Sequence, residues 1–512
     1  MTGVHFSDQQ RWVLLITAAV SSASGLAVEL LLGTLTSYLV GNQALSYGVA
    51  VGGFLAAMGL GSYLSQFIAV ESSSPNLDRV LMTRFIQVEL LIAPLTALLP
   101  LGLFALFTWD YSLWLGLILS TLILGTLAGM EVPLLTRMLE RDEGLRGAIA
   151  QVLALDYVGA LVGSLLFPLL LLPLVGLLPA AAIIGSFPAV MVAIIGWLFP
   201  KRRQVRRWGI AAAIVLWGLA FLVTPVSNRL EDNLYSAPIV RRVQSAYQRI
   251  VITRQAKDLR LYLDGDLQFS TLDEYRYHEP LVHPAMAAAT PRRVLLLGAG
   301  DGLALREALK WPQVESITLV ELDPAMVDLA TQYAPLREIG ERSLDNPKVN
   351  VVIGDAFSML GRITEQFDVI IADFPDPDQE ALAKLYSKGF YHRVRDRLAP
   401  DGVFVTQASS PFFAPKVMAC IDATLRAESF QTYPYIASVP SFGIWGFVLA
   451  THGPIRTERF DLPVETRYLT VQRLRELFSL PADVTLGDVE VNRLTRPVIL
   501  QYQNSARWLN DY

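Results

Sequence analysis

The sequence predicts an α-helical membrane bundle of about seven spans, followed by a small antiparallel β-sheet and an α/β doubly wound domain. Three observations predict this fold class. The chain is 53% hydrophobic and only 17% charged, and nearly all of the apolar excess precedes residue 226. Short alternating segments then suggest β-strands, and from residue 291 a strand–turn–helix pattern repeats. Because 512 residues exceed one ordinary core, three domains are predicted, at 1–226, 227–290 and 291–512.

Seven stretches in the first half are long and apolar enough to span a bilayer, which takes about 20 residues. They cover residues 11–40, 44–70, 81–107, 111–139, 148–172, 174–199 and 208–226. The small-residue run "GGFLAAMGLGSYLS" suits close helix packing in lipid. The N-terminus "MTGVHFSDQQR" has no basic n-region and no small-residue cleavage site, so we expect the first span to be retained.

A few ionisable residues fall inside the predicted spans: Glu29, Glu89, Glu131 and Asp156, with Arg84 near one end. Each costs roughly 2.5 kcal/mol or more in a bilayer, so a functional role is the first hypothesis. One interpretation is a cation path or site facing the bundle interior. The other, favoured for any single residue, is helix–helix hydrogen bonding or a position near the headgroups.

The loop charges and the predicted ligand disagree about topology. Basic residues gather before the first span and in alternate loops, namely Arg11, Arg79, Arg141, Arg146 and "KRRQVRR" at 201–207. The positive-inside rule then places the N-terminus in the cytoplasm and, after seven spans, the second half outside. A cytosolic adenosyl ligand requires the second half inside. We predict a multi-pass protein of the cell (inner) membrane with a cytoplasmic second half.

Composition excludes several classes of partner and site. A net charge of −5 disfavours nucleic acid. The single cysteine, Cys420, permits neither an internal disulfide nor a CxxC metal site. Five scattered histidines do not suggest a zinc centre, so no metal is predicted.

The second half reads as an antiparallel sheet followed by a Rossmann-like parallel sheet. Residues 236–270 alternate in β fashion, with turns at Lys257-Asp258 and Asp264-Gly265. Five short apolar runs follow, in "RRVLLLGAGDG", "SITLVELDP", "VNVVIGDAF", "FDVIIADFPDP" and "GVFVTQAS". Ligands of such folds bind at the carboxyl ends of the strands.

Acidic residues mark that edge: Asp301, Glu321, Asp355, Asp373 and Asp376. Taken singly, each is equally typical of a helix cap. Together, at successive strand ends, they predict a ligand site.

The pattern narrows the ligand to an adenosyl sulfonium. Glu321 lies 19 residues past Gly302, near the ~20-residue offset of an acid that binds ribose hydroxyls, and Asp355 suits the adenine amine. The glycine turn is not followed by the basic residue that a P-loop needs, which disfavours phosphates. Asp301 would repel the carboxylate of S-adenosylmethionine, at about 1 kcal/mol or more at 4 Å. Asp301 therefore favours a decarboxylated donor.

Several stretches resemble spermidine synthase and the wider polyamine aminopropyltransferase family, in particular its membrane-bound members with a multi-span N-terminal domain. The matching segments are "SAYQRIVI", "LDGDLQFSTLDEYRYHEPLVHPAM", "VLLLGAGDGLALREALK", "ITLVELDPAMVDLA", "NPKVNVVIGDAF" and "FDVIIADFPDP". The resemblance covers residues 236–450, so 291–512 is expected to be the catalytic domain.

The resemblance implies specific roles for residues of this chain. Donor-binding residues would be Gln248, Gly298, Gly300, Glu321, Asp355 and Ala356. Acceptor-side residues would be Gln268, Tyr277, His278, Asp301 and Asp376, with Asp373 as the catalytic acid–base. Decarboxylated S-adenosylmethionine would be a co-substrate, with no other cofactor or metal. The partners would be a polyamine, the lipid bilayer and a second copy, in a homodimer or larger assembly.

Two departures from the family pattern leave the acceptor open: it is a di- or polyamine such as putrescine, a diamine other than putrescine, or a different nucleophile. Asp373-Phe374-Pro375-Asp376-Pro377 replaces the usual Asp-Ser-Ser-Asp-Pro, and Phe442 in "VPSFGIWGF" replaces a tyrosine. Two rival functions also remain open. One is a transferase that uses intact S-adenosylmethionine, and the other is a transporter or sensor with a non-catalytic Rossmann domain.

Overall fold

The computed structural model describes residues 6–40, 43–68, 77–109, 112–199 and 203–506. It divides into two compact units, Met1–Ser236 and Ala237–Tyr512. The first five residues of the N-terminal segment, and Lys201 and Arg202 of the basic loop, lie outside the described residues. The predicted division into domains 1–226, 227–290 and 291–512 stays a prediction.

The first unit is helical. Its helices are α1 (Asp8–Val40), α2 (Gln43–Ser65), α3 (Leu77–Thr108), α4 (Leu113–Gly129), α5 (Glu131–Leu166), α6 (Leu172–Val175), α7 (Leu177–Leu198) and α8 (Arg203–Asp232), with a π-helical segment at Phe167–Leu171. Gly144 interrupts α5 with a φ of +71°, so this helix contains the end of one long segment and the start of the next.

Seven helical segments in the described part of the chain are long and apolar enough to cross a membrane. They are Asp8–Leu39, Ala44–Ser65, Arg79–Thr108, Leu113–Glu140, Gly144–Val175, Leu177–Leu198 and Arg203–Asp232. The predicted number of long apolar helices is confirmed. The last helix extends well beyond residue 226, where the sequence predicted its end.

Small residues bring two of these helices together. Gly159 and Gly163 of α5 face Ala19 and Ala23 of α1, and a Cβ atom on either glycine would lie 2.7 Å from the Cα of the facing alanine. Since carbon atoms pack best at about 3.5–4.0 Å, both positions need glycine. Such close approach of backbones is typical of helix pairs in lipid.

The acids within the long helices are largely buried. Glu29, Glu89 and Glu131 are 4%, 0% and 6% exposed. The Ser21 hydroxyl donates a hydrogen bond to Glu89, and Ser22 bonds to Asp156. Helix–helix hydrogen bonding, one of the two interpretations of these acids, therefore applies to Glu89 and Asp156.

The second unit begins with the antiparallel sheet that the sequence predicted. Its strands are β1 (Ile239–Gln244), β2 (Arg249–Gln255), β3 (Asp258–Leu263) and β4 (Asp266–Ser270), paired in sequence order. Apolar residues on one face of this sheet, such as Ile250 and Phe269, pack against Leu303 and Met326 of the following α/β fold.

The main sheet has seven strands: β5 (Arg293–Gly298), β6 (Ser316–Glu321), β7 (Val349–Ile353), β8 (Phe367–Asp373), β9 (Leu398–Gln407), β10 (Gln431–Val439) and β11 (Gly443–Thr451). Their order is β10-β11-β9-β8-β5-β6-β7. The five predicted strands are β5 to β9, and their pairings are all parallel.

The prediction of a wholly parallel sheet is wrong at one edge. β11 runs antiparallel to both β10 and β9. Only three residues connect β10 to β11, whereas a parallel connection needs a crossover of about a dozen or more residues. A short turn can therefore join only antiparallel strands.

Helices cover both faces of this sheet: α9 (Tyr275–Ala288), α10 (Leu303–Leu309), α11 (Pro324–Gln332), α12 (Ala334–Ile339), α13 (Ala356–Arg362), α14 (Glu380–Ala383), α15 (Lys388–Arg397), α16 (Pro415–Arg426), α17 (Val471–Glu476) and α18 (Val498–Ala506). Alternate residues of β5 enter two separate cores. Leu295 and Leu297 pack in the core that includes α15 and α16, whereas Val294 and Leu296 pack in the core that includes α9 and α10. This alternation is the doubly wound arrangement that the sequence predicted.

We expect Gly159→Ala to destabilise the helical unit. The added methyl group overlaps the backbone at Ala19, and overpacking of this kind typically costs about 1–3 kcal/mol. Gly218→Ala is the matched control, because no described atom lies within 4 Å of its added Cβ beyond its own helix. The thermal unfolding midpoint in mild detergent should fall for the first variant and stay or rise for the second. Equal midpoints would contradict the packing.

Candidate active site

The carboxyl ends of the parallel strands bring the predicted residues to one edge. Gly298, the last residue of β5, pairs directly with Asp373, the last residue of β8. Gly298 has a φ of +81°, and a Cβ there would overlap the Asp373 carbonyl group. At Gly300, a Cβ would lie 2.6 Å from Oε2 of Glu321. The turn therefore needs glycine at both positions, so that the backbone can approach the two acids.

On one side of the turn, Glu321 joins three parts of the unit. Its carboxylate accepts hydrogen bonds from the backbone N–H of Gly300 at 3.1 Å and of Asp323 at 2.9 Å. The Asp323 carboxylate in turn accepts from Nε2 of Gln248 at 3.0 Å, which brings the β1–β2 turn to this edge. Burial raises the pKa of Glu321 to about 7, despite these hydrogen bonds. Four of the predicted donor residues, Gln248, Gly298, Gly300 and Glu321, lie in this group.

Asp355 follows β7, and its carboxylate contacts Ser358 and Lys384. It caps α13 by accepting from the Ser358 backbone N–H at 3.2 Å, and it pairs with Nζ of Lys384 at 2.9 Å. Burial raises the pKa of Asp355, but Lys384 and Ser358 outweigh burial and hold this pKa below its ordinary value. Ala356 begins α13 beside it and is buried.

The centre of the site is a hydrogen bond between the buried Tyr277 and the half-buried Asp373. The Tyr277 hydroxyl in α9 donates to Oδ1 of Asp373 at 2.7 Å. The pKa of Asp373 is raised to about 6, because desolvation of the carboxylate and the Asp301 charge raise it by more than His278 and the Tyr277 hydrogen bond lower it. Asp373 is thus a carboxylate whose proton affinity is high enough to accept a proton near neutral pH.

A buried ion pair holds His278 beside these acids. Nδ1 of His278 donates to Oε2 of Glu274 at 3.0 Å, and Nη2 of Arg306 donates to the same oxygen at 2.9 Å. Burial lowers the pKa of His278, but Glu274, with Asp301 and Asp373, raises it to about 9. A protonated imidazole therefore lies among the carboxylates. Burial raises the pKa of Asp301, and the His278 charge opposes that rise.

Asp376 forms a second polar group, on the other side of Asp373. It accepts from Ser409 Oγ at 3.0 Å and from the side-chain amides of Gln407 and Gln503, both at 3.3 Å. Burial raises the pKa of Asp376 to about 6, although these three hydrogen bonds lower it. The Gln407 carbonyl oxygen accepts from Nε1 of Trp445 at 3.2 Å, which brings β11 to the same place.

Three further residues that the sequence analysis singled out are Gln268, Phe374 and Phe442. Gln268 is half-buried, and its amide donates only to the Asp266 backbone of its own strand, at 3.3 Å. Phe374 is buried, with its ring centroid 5.7 Å from that of Phe390, so its ring belongs to the core. Phe442 does lie at the site, 5.8 Å from the Tyr277 ring. Of the two phenylalanines that depart from the family pattern, Phe374 therefore points its side chain into the apolar core, whereas Phe442 lies beside Tyr277.

Comparison with known proteins identifies the family. A model of the spermine/spermidine synthase domain matches residues 274–458. A polyamine aminopropyltransferase of Leptospira interrogans is 39% identical over 96% of this chain and 97% of its own length. Another, of Streptomyces coelicolor, is 41% identical over 97% of this chain and 95% of its own length. The chain belongs to the polyamine aminopropyltransferase family.

A solved structure of a spermidine synthase in complex with the transition state analogue AdoDATO is also similar. It is 28% identical over 48% of this chain and 85% of the other, with a TM-score of 0.45. The relatives of Leptospira interrogans and Streptomyces coelicolor, which are similar over nearly the whole chain, show that the present chain is an aminopropyltransferase enzyme. Within it, the matched domain contains Asp373 and Asp376, whereas Gln248, Gln268 and Gln503 lie outside the matched residues.

Sequence reasoning missed several residues of this aminopropyltransferase that contact the predicted ones: Glu274, Arg306, Asp323, Gln407, Ser409, Trp445 and Gln503. A signal existed for three of them. Gln407 ends the fifth predicted strand, and Asp323 lies two residues after Glu321 and directly before a proline. Glu274 lies four residues before His278, which is the spacing of neighbours on a helix. The other four have no local pattern, since their partners are distant in the sequence.

We expect Glu274→Gln to destabilise the aminopropyltransferase and to change its pH dependence. Removing one partner of a buried ion pair costs roughly 3 kcal/mol, which corresponds to about 6 °C or more in the unfolding midpoint. The pKa of His278 rises from its ordinary 6.5 to about 9 on folding. The contribution of protonated His278 to the free energy of unfolding is therefore complete below pH 6.5 and is lost as the pH rises through 9.

Thermal scans from pH 6 to 10 should show this loss in the wild type and little of it in Glu274→Gln. Glu315→Gln is the control, since Glu315 is exposed and lies 4.0 Å from an exposed Arg292. Parallel pH curves for the wild type and Glu274→Gln would contradict the assignment.

Proposed function

We propose that this enzyme transfers an aminopropyl group from decarboxylated S-adenosylmethionine to a diamine such as putrescine and releases methylthioadenosine. One observation carries the proposal. The half-buried Asp373, hydrogen-bonded by Tyr277, lies at the strand end directly beside the glycine turn that holds Asp301. In this proposal Asp373 is the base, and Asp301 binds the ammonium group of the donor.

The reaction is a displacement at the carbon bonded to the sulfonium sulfur. The amine lone pair forms the new C–N bond while the C–S bond breaks. The electron pair of the C–S bond stays on sulfur, which becomes a neutral thioether. The nitrogen must lose one proton, which Asp373 accepts. General base catalysis of this kind contributes typically 10²–10⁴-fold. Tyr277 keeps the Asp373 carboxylate oriented, because its hydroxyl occupies one oxygen and leaves the other for the amine.

The charge of Asp301 supports the decarboxylated donor. This carboxylate is half-buried in the glycine turn, where its Oδ1 accepts the Leu303 backbone N–H at 2.9 Å. A donor with only an ammonium group would be attracted to Asp301, whereas a donor that keeps its carboxylate would be repelled. Glu321 accepts two backbone hydrogen bonds and retains lone pairs for the ribose hydroxyls. For Asp355 we propose contact with the adenine amine.

The acceptor would extend from Asp373 toward Asp376. Asp376 is a half-buried carboxylate with a raised pKa and no cationic partner among the described residues, so an ammonium group would stabilise its charged form. Phe442 packs against Tyr277 and Trp445, with ring centroids 5.8 and 5.0 Å apart, and would contact the methylene groups of the acceptor. Two carboxylates together with apolar rings suit a diamine, which has two ammonium groups joined by methylene groups. We propose that Gln268 and His278 also lie on this side.

We further propose that the first unit anchors the enzyme in the inner membrane and that the catalytic unit lies in the cytoplasm. The seven long apolar helices support the anchoring. Two physical arguments bear on the side of the membrane on which the catalytic unit lies. Arg11 and Arg79 favour a cytoplasmic N-terminus by the positive-inside rule, which puts the region after seven spans outside. Supply of a cytosolic nucleoside donor requires that region inside.

We expect Asp373→Asn to lower kcat by roughly 10²–10⁴-fold, because the amide cannot accept the proton. The assay incubates the purified full chain with the decarboxylated donor and a panel of amines, and follows methylthioadenosine. Asp401→Asn is the control, since Asp401 is exposed near the amino end of β9. In the wild type, kcat/KM should fall as the pH drops below about 6, where Asp373 becomes protonated.

Three results would count against the proposal. Absence of methylthioadenosine with every amine would refute the transfer reaction. Release of adenosylhomocysteine from intact S-adenosylmethionine would show a different donor. An Asp373→Asn variant as active as Asp401→Asn would remove Asp373 from the chemistry.

The orientation is tested by reporter fusions placed after residue 236, the end of the first unit. If the catalytic unit is cytoplasmic, a fused reporter that folds and fluoresces only in the cytoplasm should be active. A fused alkaline phosphatase, which is active only in the periplasm, should be inactive. The opposite pattern would place the site outside and would require export of the donor.

A further inference from the structure

The C-terminal helix α18 reaches the proposed acceptor region although it lies outside the matched domain, which ends at residue 458. Val498 and Ile499 anchor it, at 2% and 0% exposure, in the core that also contains Phe374. Gln503 follows Ile499 by one helical turn and therefore shares its inward face. The helix thus carries the Gln503 side chain to Asp376.

The two polar atoms of the Gln503 amide are in different situations. Nε2 donates to Oδ2 of Asp376 at 3.3 Å, whereas Oε1 is buried and accepts no hydrogen bond from any described residue. A carboxylate can only accept, so the amide nitrogen is the atom that faces ionised Asp376. The carbonyl oxygen is left as a buried acceptor, and buried polar atoms normally have a partner.

The position of this oxygen indicates what the missing partner is. It is bonded to the same carbon as Nε2, so a donor that reaches Oε1 is also close to the Asp376 carboxylate. The group that suits both is a cation with more than one N–H. An aliphatic ammonium has three N–H donors and a positive charge, and it matches a carboxylate and a carbonyl oxygen together.

We propose that Gln503 is a specificity-determining residue that binds the second, non-reacting ammonium of the acceptor together with Asp376. This inference rests on the proposed function and deepens it. Asp373 acts at the reacting nitrogen, and Asp376 with Gln503 recognises the far end. The C-terminal helix therefore completes the acceptor site and makes the enzyme prefer a diamine over a monoamine.

The test compares the full-length wild type with Gln503→Met, which keeps the size of the side chain and removes both hydrogen bonds. For the diamine putrescine, we expect KM to rise about tenfold or more, as for loss of one hydrogen bond to a charged group. The KM of the decarboxylated donor and kcat should change less than twofold. With butylamine, which lacks the second ammonium, the variant should match the wild type. Gln501→Met, on the exposed face of the same helix, is the control.

Gln503→Glu is the second variant. It keeps an acceptor oxygen but replaces the donor to Asp376 with a second carboxyl, which raises the pKa of the pair. We expect the KM of putrescine to approach the wild-type value at high pH and, as the pH falls, to begin rising at a higher pH than in the wild type. A putrescine KM unchanged in Gln503→Met would overturn the proposal. So would an equal loss of putrescine and butylamine turnover, which would indicate a structural role.

A binding measurement separates this inference from the proposed reaction. Putrescine should raise the thermal unfolding midpoint of the wild type and of Gln501→Met, but much less that of Gln503→Met. If the wild type released no methylthioadenosine yet showed this pattern, the reaction would be refuted and the role of Gln503 supported. If putrescine stabilised Gln503→Met as strongly as the wild type, the role of Gln503 would be refuted whatever the activity.

Discussion

The parallel pairing of β5 with β6 and β8 is the constraint on which the candidate site depends. Parallel strands end at the same edge, so residues far apart in the chain meet where their strands stop. Gly298 faces Asp373 across this pairing, and the turn that follows brings the Gly300 backbone to Glu321. A side chain on either glycine would collide with the neighbouring acid or its backbone. The turn, Asp373 and Glu321 are therefore aligned by the same hydrogen-bonded strands.

Burial of these acids has an electrostatic consequence. His278 and Arg306 balance Glu274 and part of the charge of Asp301 and Asp373, but burial still raises the pKa of Asp373 and Asp376 to about 6. A site with unbalanced carboxylates gains free energy when a cation enters. Both proposed ligands are cations, a sulfonium with an ammonium group and a diamine. The negative charge of these carboxylates thus matches the positive charge of both proposed ligands.

The residues after the matched domain are held by buried polar contacts. The Glu279 carboxylate accepts three backbone N–H groups, from Arg467, Tyr468 and Leu469, at 2.6–2.9 Å. Asn492 donates its side-chain amide to Ala383 at 2.9 Å, and α18 is buried through Val498 and Ile499. These contacts hold the C-terminal region against the α/β fold. Contact of Gln503 with Asp376 follows from that attachment rather than from any motif.

By itself, the sequence determined the long apolar helices, the strands β1 to β9 and the edge at which acids collect. Each depends on local periodicity and on glycine or aspartate at strand ends, which are visible in neighbouring residues. The direction of β11, the Arg306–Glu274–His278 group and the Gln503–Asp376 contact were decided only by tertiary structure. Gln503 and Asp376 are 127 residues apart, and no period connects them. Phe374 is a further example. It lies in the loop between Asp373 and Asp376, and only the tertiary structure shows that its ring is buried in the core. Contacts of this kind depend on which surfaces pack together, and that is settled by burial of the whole chain.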